Sequence, residues 1–219
     1  MRPLDVFPHF LDTPGLIDHD FTVMFREEVS DRFWQNGPQT SNPGSWQTAR
    51  ILMSMLKTSC LGINPQMSLA GTVTCQASYC WFIYFPHNAK GPKKSPKISS
   101  HHAVKHVGRY SRIGASVETF LESLEPRQPI LLCVGEQKNN LQRFYIIVDH
   151  KAIPGKAQTS LAAFDELFKA HFIFSVNYQE SLHSFYTFIQ TTVFNIGVGS
   201  TEESPRVKEL RARLLNTSI

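Results

Sequence analysis

Pro129-Ile130-Leu131-Leu132-Cys133-Val134-Gly135-Glu136-Gln137-Lys138-Asn139-Asn140-Leu141-Gln142-Arg143-Phe144-Tyr145-Ile146-Ile147-Val148 is the stretch that decides the fold. Ile130 to Val134 is a continuous apolar run too short for a helix, the mark of a strand buried on both faces. Gly135 to Gln142 is polar and carries Asn139-Asn140, a turn signal. Phe144 to Val148 is a second run of β-branched and aromatic residues. Two such runs across a short polar link predict an antiparallel hairpin. Ile153-Pro154-Gly155 then predicts a turn, because Pro154 cannot donate to a central ladder.

Helical patterns flank the hairpin. On the C-terminal side Thr159 or Ser160 caps a helix whose Leu161, Phe164, Leu167, Phe168, His171 and Phe172 share one face. Asp165 and Glu166 are expected to point away from it. A further helix from Glu180 carries Leu182, Phe185, Tyr186, Ile189 and Val193. Ser204-Pro205 starts the last one, a cap followed by proline at the first helical position. Its Val207, Leu210, Leu214 and Leu215 are expected inward, and Arg206, Lys208, Arg211 and Arg213 outward. On the N-terminal side Ala115 to Leu124 is amphipathic through Val117, Phe120, Leu121 and Leu124. Asp18 to Phe33 predicts one long helix through Phe21, Met24, Phe25, Val29 and Phe33. The expected class is therefore α+β: a β-hairpin or small antiparallel sheet packed by helices. The expected division is a helical arm over 1–33, an irregular segment and basic linker over 34–97, and an α+β domain over 98–219.

Composition bounds the function. The chain has 219 residues, 42% apolar and 18% charged, with a net charge of +4. That is enough apolar content for a globular core. No run reaches the roughly 18 apolar residues of a membrane span. No basic and then apolar leader opens the sequence, so an intracellular, non-membrane protein is expected. Four cysteines are too few for a disulfide scaffold.

Several short motifs fall short of the chemistry they suggest. Asp12-Thr13-Pro14-Gly15 has the form of a GTPase switch, but the glycine-rich loop and lysine that cradle phosphates are missing, so it reads as a turn. Asn195-Ile196-Gly197-Val198-Gly199-Ser200 is followed by Glu202 and Glu203, which repel phosphate. Ser116 lacks the final glycine of a nucleophile elbow. Cys133 lies inside the first strand and reads as a buried, inert thiol. Ser99 or Ser100 is expected to cap a helix carrying His102 and His106 at i and i+4. Two such histidines hold a metal only if further ligands join them, so they are weak metal candidates. Lys93, Lys94 and Lys97 form a basic Pro/Gly-containing linker, a weak nucleic-acid candidate without aromatics for base stacking. No cofactor and no small-molecule substrate is inferred. The first functional reading is a non-enzymatic interaction module with a protein partner. The alternatives are a nucleic-acid-associated protein using the basic linker and last helix, and an enzyme whose site no local motif reveals.

One segment stands apart. Residues 34–86 contain no Asp or Glu, although the other 166 residues hold all 18. They also hold all three tryptophans and Cys60, Cys75 and Cys80. They show no sustained helical or strand period. Joining the last base of each codon to the first two of the next forces Leu-Ala at positions 34–35 and Leu-Leu-Val at 80–82. Elsewhere it allows an acid-rich, leucine-rich string. The break thus has the form of a frame-shifted reading, and the net charge of +4 is not by itself a sign of a nucleic-acid partner.

The strings PKISSHHAVKHVGRY, QPILLCVGEQKNNLQRFYIIVD, SLAAFDELFKAHFIFSV, YTFIQTTVFNI and ESPRVKELRARLLN, with FLDTPGLIDHDFTVMFREEVSDRF, carry a resemblance. Together they are similar to an uncharacterised family expanded in bony-fish genomes, some members of which are called sterile alpha motif domain-containing protein 3-like. The resemblance stops at Phe33 and resumes near His87, the edges of the acid-free segment. It implies no activity, cofactor or catalytic residue. The small helical sterile alpha motif is not visible in the sequence.

Overall fold

A four-stranded mixed sheet with helices on both faces gives an α+β architecture. The computed structural model describes residues 3–35, 106–122, 124, 128–137 and 140–216. The linker lysines Lys93, Lys94 and Lys97, His102, and the acid-free segment after Gln35 lie outside the described residues.

The predicted hairpin is the centre of the sheet. Strand β2 (Ile130–Gln137) pairs antiparallel with β3 (Asn140–Val148), from Ile130 opposite Ile147 to Gln137 opposite Asn140. The ladder thus runs further into the polar stretch than its apolar content indicates. The register slips at Gly135, a β-bulge. A side chain there would strike the backbone of Asn140 and Leu141, so only glycine fits.

Two strands were not legible in the sequence. Strand β4 (Lys151–Pro154) pairs antiparallel with β3 at the sheet edge, where a proline is tolerated. Asp149 and His150 make the turn into it at φ 50° and 61°, a left-handed pair formed without glycine. Strand β1 (Gly108–Arg112) runs parallel to β2 on its other side. His106 therefore stands in the turn leading into β1 and not in a helix. Its carbonyl accepts a 2.9 Å hydrogen bond from Gln128 Nε2.

Period-two alternation divides the sheet residues between two cores. Leu131, Cys133, Phe144, Ile146, Val148 and Ile153 face the larger one. Ile130, Leu132 and Ile147 face the smaller, which α5 (Val117–Glu122) and Leu124 cover through the predicted stripe. The helix after the sheet, α6 (Ser160–Ile173), lies across the larger face. Its Thr159 cap accepts a hydrogen bond from Ala162 N at 3.2 Å.

The N-terminal arm belongs to the same core. It comprises α1 (Pro3–Val6), a 3-10 turn (Pro8–Leu11), α2 (Leu16–Phe25), α3 (Glu27–Ser30) and α4 (Arg32–Gln35). The single helix expected over 18–33 is broken at Arg26, which sits at φ 69°, ψ 162°. The break has a packing reason. Phe21 and Phe33 both contact the Phe194 ring, at 6.0 and 5.9 Å between centroids. In a straight helix residues twelve apart are separated by about 18 Å, too far to share one ring. Met24, expected inward, is more than half exposed.

The chain ends in a 3-10 turn (Glu180–Leu182), α7 (His183–Phe188), a π-helical turn (Ile189–Val193) and α8 (Pro205–Asn216). Leu182, Phe185, Tyr186, Ile189 and Val193 are all buried, as their spacing predicts, and so is Val207 on α8. Among the described residues no helix is long and apolar enough to cross a membrane.

Candidate functional site

Two polar assemblies meet on α6, and they differ in what they can do. The first is a buried charge cluster. Asp165 and Glu166 were expected to face solvent. Both are buried, as is Lys169, because α6 is covered by the sheet on one side and by the arm on the other. Lys169 Nζ donates to Asp165 Oδ2 at 2.6 Å and to Asp18 Oδ1 of α2 at 2.9 Å. It also lies 5.6 Å from the Phe21 ring centre. Burial disfavours the ammonium, but Asp165 and Asp18 together outweigh it and raise the Lys169 pKa. Burial pushes the Asp165 carboxyl up to about 7 against the pull of Lys169. Burial, helped by the charge of Asp18, also pushes Glu166 up to about 7. The Lys156 amide, 3.0 Å from Glu166 Oε1, works in the opposite sense. This cluster staples the arm to α6.

The second assembly is a cleft of about 520 Å³ at the C-terminal end of α6. The helix stops at Phe174, and Ser175 turns the chain at φ 50°. The returning segment and the π-helical turn form the opposite wall. His171, Tyr178, His183, Thr187, Gln190 and Thr201 are among its polar lining, with Ser175 and Asn177 at the turn. Tyr178 Oη donates to Gln190 Oε1 at 3.0 Å, and Gln190 Nε2 donates to Thr201 Oγ1 at 3.1 Å. The wider π turn bonds Phe194 N to Ile189 O at 3.2 Å, a geometry common at functional sites. The Tyr178 ring stacks on Tyr186, centroids 4.9 Å apart, and His171 packs against both rings.

His171 has a fixed tautomer. Its Nδ1 is 3.0 Å from the Leu167 carbonyl, which can only accept, so Nδ1 carries the hydrogen. Burial pulls the imidazole pKa down to about 4, outweighing hydrogen bonds to the Leu167 and Phe168 backbone. The ring is neutral at physiological pH, with Nε2 as a bare acceptor that no group among the described residues meets.

Among the described residues the cleft lining holds no carboxylate, lysine or arginine. Thr187 Oγ1 and His183 Nδ1 are 3.4 Å apart on one turn of α7. That is longer than the hydrogen bond of an activated nucleophile, and no third group orients the pair. The arrangement offers hydrogen bonds and aromatic faces but no acid, base and nucleophile in register.

Of the remaining metal and nucleic-acid candidates, His106 is the one among the described residues, and it lines neither assembly. Among the described residues no group of three or more His, Cys, Asp and Glu is placed to hold a metal. The basic face of α8 is partly neutralised: Arg206 pairs with Glu209 at 2.6 Å. Arg211, expected to be solvated, reaches the buried Glu203 at 3.1 Å. Sequence reasoning placed His171 on the apolar face of its helix and missed the cleft, whose other wall is contributed by the segment after the helix. No family model, curated protein or solved structure matches the chain.

Proposed function

We propose that the chain is a non-enzymatic, intracellular protein-interaction module that takes an uncharged segment of its partner into the cleft at the end of α6. The observation that carries this reading is the lining itself: hydroxyl, amide and imidazole groups beside aromatic rings, with no carboxylate, lysine or arginine among the described residues. Backbone amides and uncharged polar side chains match such a surface, whereas an ionic group would lose its hydration there without a counter-charge. The tyrosine–glutamine–threonine chain holds Gln190 in one orientation, so little rotamer freedom is lost on binding. The resemblance to the uncharacterised fish-expanded family fits this reading but adds no chemistry to it. The pairing of Arg206 and Arg211 with glutamates weighs against the last helix as a nucleic-acid surface.

Selection from a displayed library of random peptides tests it. Enriched peptides should be uncharged at their centre. They should also bind about tenfold more weakly when Gln190→Ala is introduced, the loss of roughly one or two well-placed hydrogen bonds. Peptides that bind the wild type and the Gln190→Ala variant equally would overturn the reading.

A further inference from the structure

Gln190 is clamped in the cleft at the end of α6, yet half of its side-chain hydrogen-bonding capacity is unused. Its backbone carbonyl accepts a 2.9 Å bond from Ile196 N. Its side-chain Oε1 accepts from Tyr178 Oη, and its Nε2 donates to Thr201 Oγ1. Gly197 makes room for the second of these contacts. It sits at φ 65°, and a side chain there would press on both Thr201 Oγ1 and Gln190 Nε2. The glycine-containing stretch from Asn195 to Ser200, which lacks the groups to hold phosphate, thus seats Thr201 against Gln190. A carboxamide has two acceptor sites on its oxygen and two hydrogens on its nitrogen. With one of each taken, Gln190 keeps one acceptor site and one N–H that meet no partner among the described residues. The side chain is half-buried in the cleft lining, within reach of a ligand.

We propose that the cleft recognises a primary carboxamide, the side chain of an asparagine or glutamine in the partner's segment. This rests on the cleft being the interaction site and specifies the residue that enters it. A primary carboxamide carries a donor and an acceptor side by side in one plane without charge, so a single group meets both free positions of Gln190. A trans backbone amide points its N–H and C=O in opposite directions. A hydroxyl holds its one hydrogen and its lone pairs on the same atom. A carboxylate brings no donor and an ammonium no acceptor, and either loses hydration beside a lining that supplies no counter-charge. The rings of Phe172 and Tyr178 line the same cleft and offer an apolar surface to the methylene stem and the flat face of the amide.

The test is calorimetric titration of the full chain with blocked alanine peptides that differ only in a central glutamine, asparagine, glutamate, serine, leucine or lysine. The glutamine or asparagine peptide should bind about tenfold tighter than the others, the gain from one or two additional hydrogen bonds. Its addition should shift the side-chain amide signals of Gln190 in nitrogen–proton NMR spectra of the wild type. Gln190→Glu still accepts from the Tyr178 and Thr201 hydroxyls but has no N–H to offer. That variant should lose the carboxamide preference and bind the lysine peptide about tenfold tighter than the wild type does. If all the uncharged peptides bind alike and all weaken with Gln190→Ala, the carboxamide proposal fails while the cleft remains an interaction site. If the carboxamide preference survives Gln190→Glu, or the Gln190 amide signals stay still, the proposal fails as well. If no peptide binds, it falls together with the interaction reading.

Discussion

Lys169 and Asp18 are 151 residues apart in sequence and 2.9 Å apart in the fold. Lys169 is almost wholly buried, Asp18 about one-third exposed, and Asp165 completes the group from within α6. The ammonium therefore holds the N-terminal arm against the helix that spans the sheet.

Removing that ammonium should cost far more than removing its outer partner. Lys169→Met leaves Asp165 buried without a counter-charge and should destabilise the fold by about 3–5 kcal/mol, read from urea unfolding. The pair Lys169→Met with Asp165→Leu removes both buried charges and should recover much of that loss. Equal cost for the single and double variants would show that the pair is not the source of the effect.

Glu166 should make stability fall as pH rises. Its carboxyl titrates at about 7 in the fold and 4.5 as a free group, so the folded chain holds the proton more tightly. The resulting stabilisation is complete below pH 4.5 and is lost as pH climbs through about 7. Asp165 acts in the same direction. The difference in melting temperature between Glu166→Gln and the wild type should grow in favour of the variant from pH 4.5 to 7.5. A difference that stays flat across that range would refute the assignment.

His171 works in the opposite sense. Its imidazole titrates at about 4 in the fold against 6.5 when free, so its contribution is present above pH 6.5 and lost as pH falls through about 4. Side-chain nitrogen NMR should show the Nδ1-protonated neutral ring at pH 6. A midpoint near 6.5 would place the ring in water and remove it from the buried stack with Tyr178 and Tyr186.

The aromatic core predicts that the arm unfolds with the rest. Phe168 and Phe194 stack with centroids 4.3 Å apart and planes 9° apart, and Phe21 and Phe33 contact the same Phe194 ring. Phe21→Ala should cost about 3–5 kcal/mol of global stability, comparable with Phe168→Ala. If Phe21→Ala instead frees only the arm, hydrogen exchange would speed up in residues 3–35 and leave the sheet protected.

Arg26 is an exposed side chain on a backbone suited to glycine, at φ 69° and ψ 162°. Arg26→Gly should stabilise the chain by about 1 kcal/mol through relief of that strain. A loss of stability would mean that the arginine side chain contributes more than its backbone costs.

The elements that local pattern controls were legible. The apolar runs around Leu132 and Ile146 gave the hairpin, Thr159 and Ser204 marked helix starts, and the 180–193 stripe gave buried residues. The misreadings share a physical origin. Asp165 and Glu166 fall off the apolar stripe of α6, and a helix covered on two sides buries such residues too. Strand β1 has little apolar signal of its own, because Gly108-Arg109-Tyr110-Ser111-Arg112 is ordered by its ladder to β2. Of the cleft at the end of α6, only individual lining residues were visible.

By itself, then, the sequence determined the α+β class, the hairpin and most helix faces, because hydrophobic period and capping act between near neighbours along the chain. Only the tertiary structure decided the break at Arg26, the burial of Lys169 between Asp18 and Asp165, and the neutral His171. Those depend on contacts between elements far apart in sequence, where desolvation and charge are set by whatever the fold brings alongside.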